Sequence, residues 1–262
     1  MNMNTTQTLP GGEVSFRFDG QIVLVTGAGR GVGREIAALF HRAGARVAVT
    51  DVDAEAAAGV ARELDASGET ALGIALDVRR KADFESVRDR VVQAWQRVDV
   101  VVNNAGYGKR TPVQEISEAE FDDIVAINMR SVFLSCQVFS ELLKEQGYGR
   151  IINVTSLAGQ NGGTVASPHY AAAKAGAIML SKYFAQLMAG TGVTVNAVSP
   201  GPIDTARGRL TEAQIERMES LVPIGRFAQA SEIASAVALL ASGQGGFFVG
   251  ATLDLNGGLL MR

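Results

Sequence analysis

Short apolar runs alternate with longer amphipathic stretches over most of the chain. The short runs are rich in Val and Ile, which is typical of strands buried on both faces of a sheet. They predict strands at about residues 21–26, 46–50, 70–76, 98–104, 149–156, 193–200 and 251–255. The longer stretches repeat apolar residues at helical spacing, as Val32, Ile36, Leu39 and Phe40 do after the first run.

Helices are predicted in the segments between these strands. The second strand precedes an Ala-rich helix that ends near Ala66, and further helices are expected at about residues 82–95, 117–128, 131–146, 169–189, 211–220 and 231–241. Strands that alternate with helices form right-handed βαβ units. The fold class is therefore α/β, a doubly wound, mostly parallel sheet with helices on both faces.

No linker or internal repeat interrupts this pattern, and 262 residues are within the range of one domain. Three irregular stretches, at about residues 104–116, 157–168 and 199–210, each follow the carboxyl end of a strand. That edge of an open α/β sheet is where ligands bind. The site is therefore expected there, with residues 206–221 as a lid over the substrate.

Composition and charge exclude several classes of function. The net charge of −3 gives no electrostatic argument for binding nucleic acid or an anionic membrane. The single cysteine, Cys136, allows no internal disulfide and lies in an apolar helical stretch, so it is expected in the core. No segment reaches the ~18 apolar residues of a membrane helix.

The first residues are polar and have neither the cationic start nor the apolar stretch of a secretory signal. We therefore expect a cytoplasmic protein. Residues 1–18 are predicted to form a flexible N-terminal extension, and residues 19–262 a single dinucleotide-binding catalytic domain.

A glycine-rich segment, TGAGRGVG from Thr26 to Gly33, joins the first strand to the first helix. Such a turn lets the backbone approach a pyrophosphate, which the helix N-terminus then binds. The glycines do not form GxGxxG, and a tight turn without a ligand remains an alternative. Asp51 ends the second strand, where a carboxylate can bind the adenosine ribose; the alternative is a helix cap, for which Asp53 is better placed.

Two residues further on suggest acid–base chemistry. Tyr170 and Lys174 are spaced i, i+4, so they share a helix face. An adjacent ammonium lowers the pKa of a phenol, which is otherwise about 10. Ser156 ends the fifth strand, where its hydroxyl can hold a carbonyl oxygen. Asn128 continues the apolar stripe predicted for Phe121, Ile124 and Val125, and a buried amide there needs hydrogen-bond partners.

The glycine segment, together with NNAG at residues 103–106, resembles the short-chain dehydrogenase/reductase family, whose pattern is TGxxxGxG. The resemblance extends from about Asp19 to Gly258. It implies a single-domain Rossmann-like fold with seven parallel strands, a nicotinamide dinucleotide cofactor, and usually a homotetramer (or at least a dimer) built on helix pairs. The function it implies is hydride transfer between the cofactor and a secondary alcohol or ketone.

The resemblance also implies roles for individual residues. Tyr170 is the general acid or base, Lys174 lowers its pKa and binds the nicotinamide ribose, Ser156 orients the carbonyl and Asn128 helps to hold a relay water. The residues expected to bind the cofactor are Gly27, Arg30, Gly31, Val32, Gly33, Asp51, Asp77, Val78, Asn104, Ala105, Gly106, Tyr170, Lys174, Pro200, Gly201, Ile203 and Thr205. No metal is expected, because His41 and His169 are too few and too far apart.

The cofactor preference rests on two residues with opposite effects. Asp51 would repel the 2′-phosphate of NADP(H), whereas Arg30 is placed where a basic residue can bind it. We expect NAD(H) to be preferred, with NADP(H) possible. The main alternative is an NADPH-dependent 3-oxoacyl thioester reductase acting on acyl carrier protein. A non-catalytic dinucleotide-binding regulator would not need Tyr170, Lys174 and Ser156. The enoyl-reductase branch typically has six residues between Tyr and Lys, and this chain has three.

The substrate is not identified by the sequence. Residues expected near it are Tyr107, Leu157, Gln160, Thr164, Val165, His169 and Pro202. Lys109, Arg110, Arg207 and Arg209 lie in the two loops expected over the pocket. They are either solvated surface charges or a binding site for an anionic substrate.

Overall fold

A computed structural model describes residues 15–163 and 166–262, and the statements below refer to those ranges. The strands are β1 (Ile22–Thr26), β2 (Arg46–Asp51), β3 (Ala71–Ala75), β4 (Val100–Asn103), β5 (Gly149–Val154), β6 (Val193–Pro200) and β7 (Thr252–Leu255). The helices are α1 (Gly31–Arg42), α2 (Ala54–Leu64), α3 (Lys81–Trp95), α4 (Glu118–Val125), α5 (Ser131–Gln146), α6 (Ala158–Asn161), α7 (Pro168–Leu187), α8 (Glu212–Leu221) and α9 (Ala230–Ala241).

The seven strands form one parallel sheet in the order β3-β2-β1-β4-β5-β6-β7. The order reverses direction at β1, which pairs with β2 on one side and β4 on the other. This is the doubly wound arrangement predicted from the alternation of elements. Because every strand is parallel, all the strands end at the same edge of the sheet.

Two apolar layers cover the sheet, one on each face. Helices α1, α2 and α9 pack on one face, and α3, α5 and α7 pack on the other. The core consists mainly of Ala, Val, Ile and Leu, as the composition implies. Cys136 is buried within the second layer, as predicted.

The folded domain begins before residue 19. Phe18 is only 1% exposed and stacks edge-on against Phe40 of α1, with 4.7 Å between ring centroids. Phe16 packs against the same layer. These two residues therefore pack with the domain, whereas the sequence predicted a flexible extension through residue 18. Two apolar residues separated by Arg17 are too short a run to predict a strand or a helix, which is why the pattern did not detect them.

The helices predicted at 117–128 and 131–146 are joined without a break. Residues Ala126–Arg130 form a wider π-helical turn between α4 and α5. The predicted buried stripe is correct for Ile124 but wrong for Phe121, which is 46% exposed. The side chain of Phe121 stacks on the ring of His169 rather than entering the sheet core.

The predicted lid has helical structure. Residues Asp204–Arg209 form a 3-10 turn, and α8 follows with a capping box at Thr211 and Gln214. Within the two ranges that the structure describes, no helix is both long and apolar enough to cross a membrane.

Candidate active site

A cavity of about 830 Å³ lies at the carboxyl edge of the sheet. All seventeen residues predicted to bind the cofactor line it, as does Ser156. Further lining residues were not singled out as cofactor contacts: Val52, Leu76, Arg79, Tyr107, Asp123, Ile127, Val154 and Thr155. The strand edge thus brings together residues that lie as much as 178 positions apart, from Gly27 to Thr205.

The glycine segment forms one wall of this cavity. Gly31 has a φ of +59°, which favours glycine, and a Cβ placed there would meet no atom nearer than Thr205 Cγ2 at 4.0 Å. Gly33 has no such space, because its Cβ would lie 2.2 Å from the carbonyl oxygen of Gly27. The first turn of α1 contains no acidic residue, and no side chain caps its N-terminus. Its free amides therefore face an open space large enough for a phosphate.

Asp51 links the end of β2 to the glycine segment. Its Oδ2 accepts a hydrogen bond from Gly29 N at 3.0 Å, and its Oδ1 accepts one from Asp53 N at 3.1 Å. Asp53 caps α2 through the amides of Glu55 and Ala56, as expected. The carboxylate of Asp51 is therefore not needed as the cap, and it lines the cavity.

An ion-pair network lies beyond β3, where the adenine contact was predicted. The Arg79 guanidinium donates to both carboxylate oxygens of Asp77, over 2.7–3.1 Å, and also to Asp123 Oδ1 at 3.1 Å. The Tyr107 hydroxyl donates to the other oxygen of Asp123. These contacts hold the pKa of Asp77 and of Asp123 below their usual values, and the Asp123 contact raises the pKa of Tyr107 to about 12.

Sequence reasoning missed Arg79 and Asp123. Arg79 follows Asp77 by two residues, a spacing that could have suggested a local pair. Nothing in the sequence links Asp123 to them, because it is 44 positions further along the chain.

Asn104 holds the NNAG segment against the glycine segment. Its side-chain amide donates to the carbonyl oxygens of Thr26 and Gly27, both at 3.0 Å. The Thr26 hydroxyl in turn accepts from the amides of Asn104 and Ala105. These contacts fix the ends of β1 and β4 relative to each other.

Tyr170, Lys174 and Ser156 meet at the opposite end of the cavity. Lys174 is buried, and its Nζ donates to Val154 O at 2.8 Å and lies 5.8 Å from the centroid of the Tyr170 ring. Burial lowers the pKa of Lys174 to about 8. Burial also raises the pKa of Tyr170, which the hydrogen bond with Ser156 opposes. The lowered tyrosine pKa expected from the spacing is not found in the protein alone, because burial raises the pKa of Tyr170 more than its hydrogen bond with Ser156 lowers it.

Asn128 lies in the π-helical turn and is buried. Its Nδ2 donates to Tyr107 O at 2.8 Å and to Ile124 O at 3.0 Å. Its Oδ1 has no hydrogen-bond partner among the described residues. A Cβ on Gly106 would lie 2.6 Å from that oxygen and 3.2 Å from Lys174 Nζ, so the three groups are close neighbours. Asn128 does not line the cavity itself, but it stands directly behind the NNAG segment.

Only one of the predicted substrate-pocket residues with a described position lines this cavity, namely Tyr107. Leu157 is buried in the core, and Gln160 donates to Asp254 at 2.6 Å. His169 is fully buried, 3.3 Å from Glu120, and Pro202 lies off the cavity. Thr164 and Val165 lie outside the described residues.

The structure describes two of the four basic side chains in the loops expected over the pocket, those of Lys109 and Arg110. Lys109 Nζ is 3.3 Å from Glu120, so this cation is already paired. Arg110 is exposed. The side chains of Arg207 and Arg209 lie outside what the structure describes, and their part of the prediction is untested.

The polar groups that line the cavity fit a dinucleotide. They include the uncapped amides of α1 at the glycine segment and a carboxylate, Asp51, at the end of the neighbouring strand. The unpartnered Asn128 Oδ1 behind the opposite end is a buried acceptor that needs a donor. Among the described residues, no group of His, Cys, Asp and Glu side chains could hold a metal ion.

Comparison with known proteins agrees with this geometry. The family model described as "Enoyl-(Acyl carrier protein) reductase" matches residues 27–260. The chain is 39% identical over 247 residues to 3-oxoacyl-(acyl-carrier-protein) reductase FabG of Escherichia coli (strain K12), covering 93% of this chain and 99% of that protein. It is 36% identical over 255 residues to D-threitol dehydrogenase of Mycolicibacterium smegmatis, covering 95% and 96%.

A solved structure has the same fold. It is the short-chain dehydrogenase/reductase described as glucose/ribitol dehydrogenase from Brucella melitensis, with a TM-score of 0.86 and 32% identity. The match covers 95% of this chain and 100% of that one. The chain therefore belongs to the short-chain dehydrogenase/reductase family and is an oxidoreductase acting on hydroxyl or carbonyl groups.

Proposed function

We propose that this enzyme transfers a hydride between NAD(H) and a secondary alcohol or ketone, with Tyr170 as the general acid and base. One observation carries the proposal. Tyr170, Ser156 and Lys174 lie at one end of a cavity whose other end has the polar groups that would bind a dinucleotide. When bound, the nicotinamide ring supplies or accepts the hydride.

The protein's own groups handle the proton and the orientation of the substrate. In reduction, the Tyr170 hydroxyl donates its proton to the carbonyl oxygen as negative charge develops there. The Ser156 hydroxyl donates a hydrogen bond to the same oxygen. The Lys174 ammonium favours the phenolate that remains. Asn128 Oδ1 is free to accept a hydrogen bond from a water that returns a proton to Lys174. In oxidation the steps are reversed.

The other predicted contacts are part of this proposal. The glycine segment and α1 would bind the pyrophosphate, and Asp77 and Val78 would face the base. Pro200, Gly201, Ile203 and Thr205 would meet the carboxamide end. Residues 206–221 would close over the substrate as a lid. We expect the enzyme to work in the cytoplasm as a homotetramer or dimer.

Preference for NAD(H) rests on Asp51. Its carboxylate lines the cavity at the end of β2, where a 2′-phosphate would bring like charges together. The next residue, Val52, is 69% exposed and offers no positive charge. Arg30 also lines the cavity and argues for NADP(H), but it is exposed and has no side-chain hydrogen bond or ion pair with the rest of the described chain. We weigh the carboxylate more heavily, because it would adjoin the ribose of a bound dinucleotide.

A second candidate is the reduction of a 3-oxoacyl thioester. It is favoured by the relatives at 39% identity that are named 3-oxoacyl-(acyl-carrier-protein) reductases. D-threitol dehydrogenase, at 36%, favours a polyol instead. The spacing of three residues between Tyr170 and Lys174 argues against an enoyl reductase despite the description of the family model.

One experiment separates these functions. The purified enzyme is assayed with polyols, simple ketones and a 3-oxoacyl thioester, each with NAD(H) and with NADP(H). Activity on a polyol or ketone with NAD(H) supports the proposal. A thioester reduced mainly with NADPH would replace it by the second candidate. Absence of hydride transfer to every substrate would contradict both.

A further inference from the structure

The network around Arg79 connects the two ends of the cavity. Asp77 and Arg79 follow β3, Asp123 belongs to α4, and Tyr107 belongs to the loop that follows β4. Each of these four side chains lines the cavity. Tyr107 is held a second time through its backbone, because its carbonyl oxygen accepts from Asn128 Nδ2 at 2.8 Å.

Arg79 is the centre of this network, since it bonds carboxylates on two separate elements. Its Nε and Nη2 face Asp77, whereas its Nη1 faces Asp123. Two carboxylates on the rim of one cavity repel each other unless a cation lies between them. The planar guanidinium can bond both at once, which an ammonium cannot do with the same geometry.

The contact between Asp123 and Tyr107 links the network to the proposed catalytic groups. Asp123 fixes the Tyr107 side chain, and Tyr107 lies one residue after the NNAG segment that packs against Asn128 and Lys174. Asn104 and Ala105 are held separately by Thr26 and Gly27. Residues 107–112 have further contacts, namely the bond from the Ser167 hydroxyl to Lys109 O, the pair between Lys109 and Glu120, and a side-chain hydrogen bond between Thr111 and Glu120.

We propose that Arg79 is a positioning residue, which holds Asp123 and through it Tyr107, and so helps to fix residues 107–112 of the loop after β4 against the active site. This inference rests on the proposed function for its catalytic consequence. Its structural content, the fixing of the loop, does not depend on any activity.

The proposal predicts that loss of Arg79 changes kcat rather than the KM for the dinucleotide. If Arg79 acts through Tyr107, its loss displaces the loop. We then expect kcat, measured with saturating dinucleotide, to fall by about 10-fold, because small misplacements of reacting groups slow the reaction. If Arg79 serves the base end of the cavity alone, its loss raises only the KM for the dinucleotide. The two effects are measured separately.

Arg79→Met removes the centre of the network, and Tyr107→Phe removes its contact with the loop. Because either change disconnects the loop, the double variant should lose no more kcat than the worse single variant. Arg80→Met is the matched control, since the Arg80 side chain forms an ion pair with Asp83 and does not line the cavity. It should keep the kcat of the unmodified enzyme.

A second readout needs no substrate. Trypsin cleaves after Lys109 and Arg110, so the rate of nicking there reports how firmly the loop is held. Arg79→Met and Tyr107→Phe should be nicked at Lys109 and Arg110 several-fold faster than Arg80→Met. Arg79→Met and Arg80→Met each remove one tryptic site, so these two variants are directly comparable. Equal nicking, or independent losses of kcat in the double variant, would overturn the inference. If the unmodified enzyme transfers no hydride, the proposed function fails, and the nicking rates still decide this inference.

Discussion

The carboxylate of Asp51 accepts a hydrogen bond from the backbone amide of Gly29, 3.0 Å away. This bond ties the end of β2 to the glycine segment and holds the carboxylate on the wall of the cavity. A negative charge fixed in that place by its own backbone contacts cannot move aside for a phosphate without breaking them. Cofactor choice is therefore the first property to test.

The unmodified enzyme should prefer NADH over NADPH by at least ~10-fold in kcat/KM, equivalent to about 1.4 kcal/mol. Asp51→Ala should reduce that ratio, mainly by weakening NADH. Asp53→Ala is the matched control, because it removes a helix cap two residues away without changing the cavity wall. The ratio comes from initial rates with each cofactor. Equal or better rates with NADPH in the unmodified enzyme would show that Arg30 decides the preference.

The role of Tyr170 is tested by removing one oxygen atom. Tyr170→Phe keeps the ring but loses the transferable proton, so kcat should fall by about 100-fold or more. The dissociation constant for the dinucleotide, measured by calorimetry, should change little. Tyr183→Phe, on the exposed side of the same helix, should keep full activity. An active Tyr170→Phe enzyme would disprove the assignment.

The pH dependence of reduction should follow Lys174. Burial lowers the pKa of Lys174 to about 8 and raises that of Tyr170, so the lysine loses its proton first as the pH rises. The ammonium is present below pH 8 and lost above it. The value of kcat/KM for carbonyl reduction should therefore decline above a pH of about 8. In Lys174→Arg, if it folds, the decline should move to higher pH. A profile that is flat to about pH 10 in the unmodified enzyme would contradict this.

The strands, the glycine segment and the Tyr170–Lys174 pair were predictable because each is a local pattern in the sequence. Period and composition identify buried strands, and a parallel sheet places their carboxyl ends at one edge. The ties among Arg79, Asp123 and Tyr107 were not predictable, since they depend on how distant elements meet. The rise in the pKa of Tyr170 was missed for the same reason, because burial is a property of the folded chain.

Phe18 provides a test of where the domain begins. Its ring is buried against Phe40, and its amide donates to Ala43 O at 2.7 Å. Phe18→Ala should lower the free energy of unfolding by about 3–5 kcal/mol, the usual cost of emptying a large buried site. Arg17→Ala, at an exposed neighbour, should change it little. Denaturant titration measures both. An unchanged midpoint for Phe18→Ala would restore the boundary predicted at residue 18.

Assembly is tested on the face shared by α5 and α7. Phe133, Met179 and Tyr183 are apolar or aromatic side chains that remain exposed in a single chain. We expect this face to contact a second copy, so the protein should sediment as a tetramer or dimer. Met179→Asp should shift it toward the monomer, whereas Leu221→Asp, exposed on α8, should not. Sedimentation of the unmodified protein as a monomer at micromolar concentration would contradict the prediction.

The wide turn at Ala126–Arg130 lets two side-chain directions be set separately, that of Asn128 and that of the apolar side of α5. A residue in an α-helix advances by about 100° around the axis, so the direction of every side chain is set by its distance along the chain. A π-helical turn places an extra residue within one turn, so it changes the direction of every side chain beyond it relative to those before it. Asn128 can therefore face Tyr107 while α5 keeps its own apolar side on the sheet. One continuous helical segment thus carries both the active-site amide and a helix whose apolar side covers the sheet, although a regular α-helix would not orient both in this way.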